Sequence, residues 1–332
     1  MTESGPSVGV IGVGSMGKHH ARVYSALDSV NLIGVTDADE ERADEVATQH
    51  GTDTWSSDSL IEAVDAVSIA VPTEYHYEIA LKCLQNGVDV LIEKPFVRNL
   101  SEGTELIRLA ESNDAVLQVG HIERFNPAVL ALDDILQDRS IVALNAERLG
   151  PPLQRDIRDS AVLDLMIHDI DIVCSLAGNS PTSIVGAGVR NNRHATATLT
   201  FECDIIAELT ASRLTQKKIR KLDIVAEECL IRVDYIDRSI EIHRASTPEF
   251  IQKDENIRYR HESIVERPMV DSTEPLWNEL SSFVEAIRER SQPAVTGEDG
   301  LEAVHIAQQI DEANEMGASE VMVPDFREVS LD

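Results

Sequence analysis

The sequence predicts an α/β protein: an N-terminal Rossmann-type domain with a parallel, doubly wound sheet, followed by an α+β domain whose sheet is mainly antiparallel. Three observations predict it. Up to about residue 122, short apolar runs alternate with helical stretches of about ten residues. "GVGSMG", Gly12 to Gly17, follows the first apolar run and opens the first helical stretch. Beyond Pro127 the alternation stops, and strand-like runs follow one another with few helices between them.

Taken in order, Val8 to Val13 is apolar and of strand length, and a helix runs from about Lys18 to Leu27. "VNLIGVTD", Val30 to Asp37, is a second strand, and "ADEERADEVATQH" a second helix. "AVSIAVP", Ala66 to Pro72, is a third strand, and the helix "HYEIALKCLQNG" is closed by Gly87. "DVLIEKP" is a fourth strand, "SEGTELIRLAESND" a helix with Ser101 and Glu102 suited to its N-terminus, and "AVLQVGH" a fifth strand. Helices at Ala128 to Leu136 and Val162 to Leu176 then flank the strand "IVALNAERLG". The runs "TSIVGAGV", "HATATLTFE", "IIAELTASRL", "RKLDIVAEECLIRVDY" and "SIEIHR" build the second sheet, with the basic "KKIRK" read as a charged strand edge. After a loop at Val270 to Pro275, helices at Leu276 to Arg288 and Gly300 to Met316 close the chain. The expected division is residues 1–122 and 123–332, with the helices from about 276 packing back on the first domain.

The 332 residues suffice for two domains, and 42% hydrophobic content supplies ordinary cores. No apolar run reaches membrane-spanning length, and "MTESGPSVGV" has no secretory features, so a cytoplasmic protein is expected. Cys83, Cys174, Cys203 and Cys229 are scattered and read as small buried hydrophobes in a reducing compartment. The net charge of −30 argues against nucleic acid or an anionic membrane as a partner. Acidic residues are spread evenly, as on a protein adapted to a high-salt cytoplasm.

Gly12, Gly14 and Gly17 form G-x-G-x-x-G between a strand and a helix, so Gly12 to Gly17, with Ser15 and Met16 between them, is expected to hold a dinucleotide pyrophosphate. Asp37 ends the second strand, where a carboxylate accepts the adenosine ribose hydroxyls and repels a 2′-phosphate; this favours NAD over NADP. The plainer alternative is that Asp37 caps the next helix, and the nearby Arg42 could pair with a phosphate. Pro72, Thr73 and His76 follow the third strand on the usual ligand edge of the sheet, though the stretch also reads as a simple strand-to-helix turn.

Glu93 and Lys94 leave the fourth strand at that same edge, with Pro95 fixing the backbone direction. A lysine there can hydrogen-bond a substrate hydroxyl; the alternative is a surface salt bridge. In "DLMIHDIDIV", Asp164 and His168 are four residues apart and share a helix face, with Asp171 three further on. A histidine beside a carboxylate suits proton abstraction. A metal site is the weaker reading, because no further His/Cys cluster completes it. Arg124 and Asn126 follow the fifth strand and could hold sugar hydroxyls or a phosphate, or join the domains by hydrogen bonds. Arg148, with Arg155 and Arg158, could meet a diphosphate.

The ordered set G-x-G-x-x-G, EKP and D-x-x-x-H resembles the glucose–fructose oxidoreductase / inositol 2-dehydrogenase / MocA-like family, over nearly the whole chain. The resemblance implies a dehydrogenase in which Lys94, Asp164 and His168 surround the reacting sugar hydroxyl. It also implies a cis peptide before Pro95 and pairing of subunits, as a dimer or tetramer, through the free sheet face. Within the family, "VGHIERFNPAV", "ERLGPP", "DLMIHDIDIV", "RVDYIDRSIEIHR" and "EPLWNELSSFVEAI" look like the branch that oxidises the C3 hydroxyl of UDP-N-acetylglucosamine. A free sugar or inositol as substrate, and a non-catalytic NAD-binding regulator, are the alternatives.

Overall fold

The protein is described from a computed structural model covering residues 5–152, 159–202, 204–245, 249–253, 256–260, 263–316 and 320–323. It divides into two compact units. One comprises Met1–Phe125 and Thr273–Ile306; the other comprises Asn126–Ser272 and Ala307–Pro324.

The first unit is built on six parallel strands. They are β1 (Ser7–Ile11), β2 (Asn31–Thr36), β3 (Asp53–Thr54), β4 (Ala66–Ile69), β5 (Asp89–Glu93) and β6 (Leu117–Gly120), in the order β3-β2-β1-β4-β5-β6. Val8, Val10, Val67, Ile69, Val90, Leu91, Ile92 and Val119 are all buried, and unbroken apolar runs suit a sheet covered on both faces. The connecting helices are α1 (Gly17–Ala26), α2 (Glu40–His50), α3 (Ser57–Ala63), α4 (His76–Gln85) and α5 (Leu100–Ser112). The sequence showed five strands, not six. Edge strand β3 is two exposed residues without alternation, and α3 is only seven residues long, so neither carries a periodic signal. Helix α5 starts one residue earlier than expected: Asn99 is its N-cap residue, and its side chain donates to Glu102 Oε1 at 2.8 Å. The helix Pro275–Glu289 contributes Leu276, Leu280, Phe283, Val284 and Ile287 to the same core as α1 and α2.

The strand order reverses between β1 and β4. That places the loops after β1 and β4 at the switch point, where open α/β sheets bind ligands.

The second unit opens with two short helices, α6 (Pro127–Leu130) and α7 (Leu132–Leu136), where one was expected. Its main sheet has nine strands. Strand β7 is Ile141–Leu149, β8 Ser183–Val189, β9 His194–Thr200, β10 Ile206–Ser212, β11 Ile219–Ala226, β12 Leu230–Asp234 and β13 Ser239–Ala245. A hairpin of β14 (Glu249–Lys253) and β15 (Asn256–Arg260) stands apart, and β16 (Ser263–Glu266) and β17 (Glu320–Met322) complete the large sheet. The order is β16-β13-β12-β11-β7-β10-β9-β8-β17, antiparallel except for the parallel pair β7–β10. Alternation sorts the faces. Leu144, Leu199, Leu209, Leu222, Ile231 and Ile240 are buried on one face, whereas Glu147, Glu208, Lys221 and Asp234 belong to the other. "KKIRK" is not an edge: β11 lies between β12 and β7, with both ladders filled.

The expected helix Val162–Leu176 has two parts. Val162–Met166 is a π-helical turn, and α8 (Ile167–Ala177) continues from it. A π turn has more than four residues per turn, so positions four apart still share a face, and such turns recur at functional sites. Two helices follow, α9 (Pro275–Glu289) and α10 (Gly297–Met316). No helix of the described residues is long and apolar enough to cross a membrane.

Candidate active site

The glycine loop divides its work as the spacing implied. Gly12 has φ +88°, and a Cβ there would lie 2.9 Å from the backbone of Ala70. A Cβ on Gly17 would fall 1.7 Å from the Gly12 carbonyl oxygen, so α1 can approach β1 only through glycine. At Gly14 an added Cβ would meet nothing within 4 Å. Open space there, the exposed Ser15, and a helix start with no acidic first turn and no side-chain cap at Met16 fit an incoming pyrophosphate.

Asp37 follows β2 and reaches back to this loop. Its Oδ2 accepts from the Val13 N–H at 2.7 Å, and its Oδ1 accepts from the Asp39 N–H at 2.9 Å and Arg42 Nη2 at 2.7 Å. Burial pushes the carboxyl upward, but the Arg42 hydrogen bond and the two backbone N–H groups outweigh it, and the net shift is down. Asp37 does not cap α2. Asp39 does, accepting from the Arg42 N–H at 3.2 Å.

At the end of β4, Pro72 is exposed and Thr73, partly exposed, opens a 3-10 turn, Thr73–Tyr75. Lys94 follows β5, is partly exposed and is joined to Pro95 by a cis peptide. Two buried histidines hold this segment from behind. His20 Nε2 lies 3.0 Å from Glu93 Oε1. His76 Nδ1 lies 3.1 Å from the Pro95 carbonyl oxygen and 3.2 Å from that of Phe96, and its Nε2 lies 2.9 Å from the Val71 carbonyl oxygen. Both ring nitrogens of His76 face acceptors, so a neutral ring donates to one side only. Burial lowers its pKa, and the three carbonyls pull the other way. Burial pushes Glu93 upward too, but the His20 bond and charge, with Lys94 behind them, turn the net shift down and hold it ionised. Beneath lies Glu279, fully buried on α9, whose carboxyl is pushed well above the ordinary range by burial and then by the Glu93 charge.

In the second unit Asp164 and His168 are both partly exposed on the π turn and the start of α8. The neighbouring Ile167, Ile170 and Cys174 are buried, and so is Asp171. Asp169, beside His168, takes a bidentate bond from Arg148 on β7: Nε to Oδ2 at 2.8 Å and Nη2 to Oδ1 at 2.7 Å. The Arg148 guanidinium also lies 5.2 Å over the Tyr235 ring. Asp164 Oδ2 accepts from Arg213 Nη2 at 2.6 Å. No sequence pattern points to that pair, because Arg213 is 49 residues away and directly follows another strand.

Three of the expected site residues are bonded within the protein. His76, Asn126 and Arg148 are buried, and their polar atoms serve the scaffold. His76 fixes the backbone after Lys94. Asn126 caps α6, accepting from the Ala128 N–H at 3.1 Å and donating to the Tyr235 carbonyl at 3.1 Å. Arg148 is bonded to Asp169 and anchors α8 to β7. Arg124 stays partly exposed in the turn Ile122–Phe125. Arg155 and Arg158 lie outside the described residues. Among the described residues no group of three or more His, Cys, Asp or Glu is arranged to hold a metal ion.

Comparison with known proteins places these features in one family. Residues 7–121 match the model of the NAD-binding Rossmann fold of the Gfo/Idh/MocA oxidoreductases, and residues 147–232 match that of their C-terminal domain. A UDP-N-acetylglucosamine 3-dehydrogenase of Acidithiobacillus ferrooxidans is 37% identical over 243 residues, 71% of this chain and 76% of the relative. A solved structure of UDP-N-acetylglucosamine 3-dehydrogenase from that organism superposes with a TM-score of 0.84 at 32% identity, covering 95% of this chain and 99% of the other. An inositol 2-dehydrogenase of Rhizobium meliloti is 25% identical over 320 residues, 90% of this chain and 94% of the relative. Levoglucosan dehydrogenase in complex with NADH shares the fold, with a TM-score of 0.80 at 22% identity over 96% of this chain and 99% of the other. The chain therefore belongs to the Gfo/Idh/MocA family and is an oxidoreductase acting on a CH–OH group.

Proposed function

We propose that the protein oxidises the C3 hydroxyl of UDP-N-acetylglucosamine to a ketone, with NAD as hydride acceptor. The observation that carries the substrate is the contrast between relatives: 37% identity to the nucleotide-sugar dehydrogenase against 25% to an inositol 2-dehydrogenase. NAD, when bound, supplies an electrophilic ring that accepts hydride from the carbinol carbon. Gly12 to Gly17 would hold its pyrophosphate, with Pro72 and Thr73 beside it on the same sheet edge. Asp37 would meet the ribose. Because Arg42 is already folded onto Asp37, a 2′-phosphate would have to break an ion pair first, and NADP is disfavoured.

The remaining chemistry belongs to side chains. His168 takes the hydroxyl proton as general base. Asp164, kept anionic by Arg213, favours the imidazolium that forms. Lys94 donates an N–H to the alcohol oxygen and stabilises the negative charge that develops there. The alcohol loses a hydride and a proton, two electrons leaving with the hydride, and a ketone remains. Arg124 is retained as a contact to the sugar or its phosphates.

The free face of the nine-stranded sheet, with Val185, Val189 and Ile206 exposed beside its charged residues, is proposed to pair subunits. Cys83, Cys174 and Cys229 are buried thiols outside any disulfide, which supports a reducing, cytoplasmic setting, and Cys203 lies outside the described residues; burial lifts the Cys83 thiol to about 12.

The test is NADH formation with NAD and UDP-N-acetylglucosamine in concentrated salt, beside UDP-glucose, free N-acetylglucosamine and myo-inositol. Turnover confined to free sugars or inositol would remove the nucleotide-sugar assignment.

A further inference from the structure

Arg213 is a residue for which neither the sequence motifs nor the family comparison supplies a role. It follows β10 and is buried, only 6% exposed. Its Nη1 donates to the Asp159 carbonyl at 2.7 Å, and its Nη2 donates to the Ser160 carbonyl at 3.2 Å and to Asp164 Oδ2 at 2.6 Å. One guanidinium thus holds both the backbone that enters the π turn and the carboxylate in its first half. The turn is fixed elsewhere as well. The Leu163 N–H donates to Ser160 Oγ at 3.0 Å, and Ser160 Oγ donates to Asp311 at 2.6 Å.

We propose that Arg213 is a positioning residue: it locks Asp164 as a permanent anion on the π turn and so sets the charge and placement that His168 feels when it takes the substrate proton. The inference rests on the proposed roles of Asp164 and His168. Two effects combine in it. A carboxylate bonded to a guanidinium at such a distance stays ionised and cannot itself take the proton, so proton acceptance falls to the imidazole. The two carbonyl bonds hold the turn in register, so the carboxylate cannot swing away. A lysine could supply the charge but not the fork. Arg213 touches neither alcohol nor cofactor in this scheme, and it acts through Asp164.

Other charges surround the turn and must be kept in view. Arg148 and Asp169 neutralise each other between β7 and α8, Asp171 is buried further along α8, and Asp159 precedes the turn. Asp311 on α10 is pushed up by burial, against its bonds to Ser160 and Asn192.

The experiment compares wild type, Arg213→Gln, Arg213→Lys and Asp164→Asn in two readouts. One is steady-state turnover of UDP-N-acetylglucosamine with NAD across pH. The other is the His168 imidazole titration by NMR, assigned by its loss in His168→Asn, which needs no turnover. In Arg213→Gln, kcat should fall about ten- to a hundredfold with little change in KM. The His168 midpoint should move up, because a nearby cation has gone, and Arg213→Lys should restore the midpoint but only part of kcat, since it returns the charge without the fork. Asp164→Asn should move the midpoint down. An unchanged midpoint and kcat in Arg213→Gln overturn the proposal, and so does a folded Arg213→Lys no better than Arg213→Gln. Should Arg213→Gln not fold, the opposite displacement in Asp164→Asn and the retained profile of Arg213→Lys decide the matter, and failure of either overturns it. Wild type inactive on UDP-N-acetylglucosamine but active on another sugar, with the midpoints moving as stated, sinks the proposed substrate and leaves the Arg213 inference standing.

Discussion

Glu279 is a buried carboxyl with a second carboxylate as its neighbour. Fully buried and beside the Glu93 charge, it keeps its proton when folded, whereas in the unfolded chain it ionises in the ordinary glutamate range. The folded state therefore binds the extra proton. The stability this confers is complete below the ordinary range and is lost as pH rises toward the elevated folded value. Glu279→Gln keeps the shape without the titration. Chemical denaturation should show the variant gaining on wild type as pH rises above the ordinary glutamate range. Equal pH slopes for the two would mean that Glu279 is not neutral in the fold. Gly14 and Gly17 make a second test at this scale. Gly14→Ala meets no protein atom, so its melting temperature should stay at the wild-type value while NAD affinity, measured calorimetrically, drops. Gly17→Ala collides with the Gly12 carbonyl and should lose stability and binding together. Lys94→Ala should abolish turnover and leave NAD affinity nearly intact; undiminished turnover would take Lys94 out of the mechanism.

Among elements, helix α8 is held by an ion pair that the fold has almost sealed from water. The Arg148 and Asp169 side chains are 3% and 2% exposed, so removing one partner strands the other charge. Arg148→Met should therefore lower unfolding stability by about 3–5 kcal/mol, while the paired change Arg148→Met with Asp169→Leu should recover most of it. Equal losses in the single and double variants, measured by denaturant titration, would mean that the pair does not anchor the helix. The β5 terminus answers to the same logic. A lysine on a bare strand end would have wide rotamer freedom, but here the residues on either side of it, Glu93 and Pro95, are tied to His20 and His76.

For the molecule as a whole, net charge dominates. At −30 the native state repels itself, and salt relieves that repulsion. Between about 0.1 M and about 1 M salt the screening length falls from about 10 Å to about 3 Å, so the melting temperature should climb by several degrees in potassium chloride. A flat or falling curve would show that local ion pairs, which salt weakens, outweigh the global repulsion. The same charge bears on assembly. Sedimentation should show a concentration-dependent oligomer at high salt that loosens at low salt, if the free sheet face pairs subunits.

The sequence by itself determined the layered architecture, the glycine loop and the lysine at the strand end, because period-two and helical patterning and a glycine triplet are local signals that burial does not override. Its motifs also sufficed to name the family. Two-residue β3 escaped it, since so short an edge strand has no period to read. So did the π turn, whose i, i+4 pattern is that of an α-helix. Only the tertiary structure decided how the cations are used. Arg148 read as a contact for a diphosphate and Arg213 carried no reading at all, yet each is bonded to a carboxylate elsewhere in the chain, Asp169 in one case and Asp164 in the other. Likewise His20 carried no signal in the sequence, and His76 read as a residue of the ligand edge, yet both are buried and bonded to the residues that flank Lys94. Pairing of charges depends on which strands and helices the topology brings side by side, and that is long-range information no window of sequence contains.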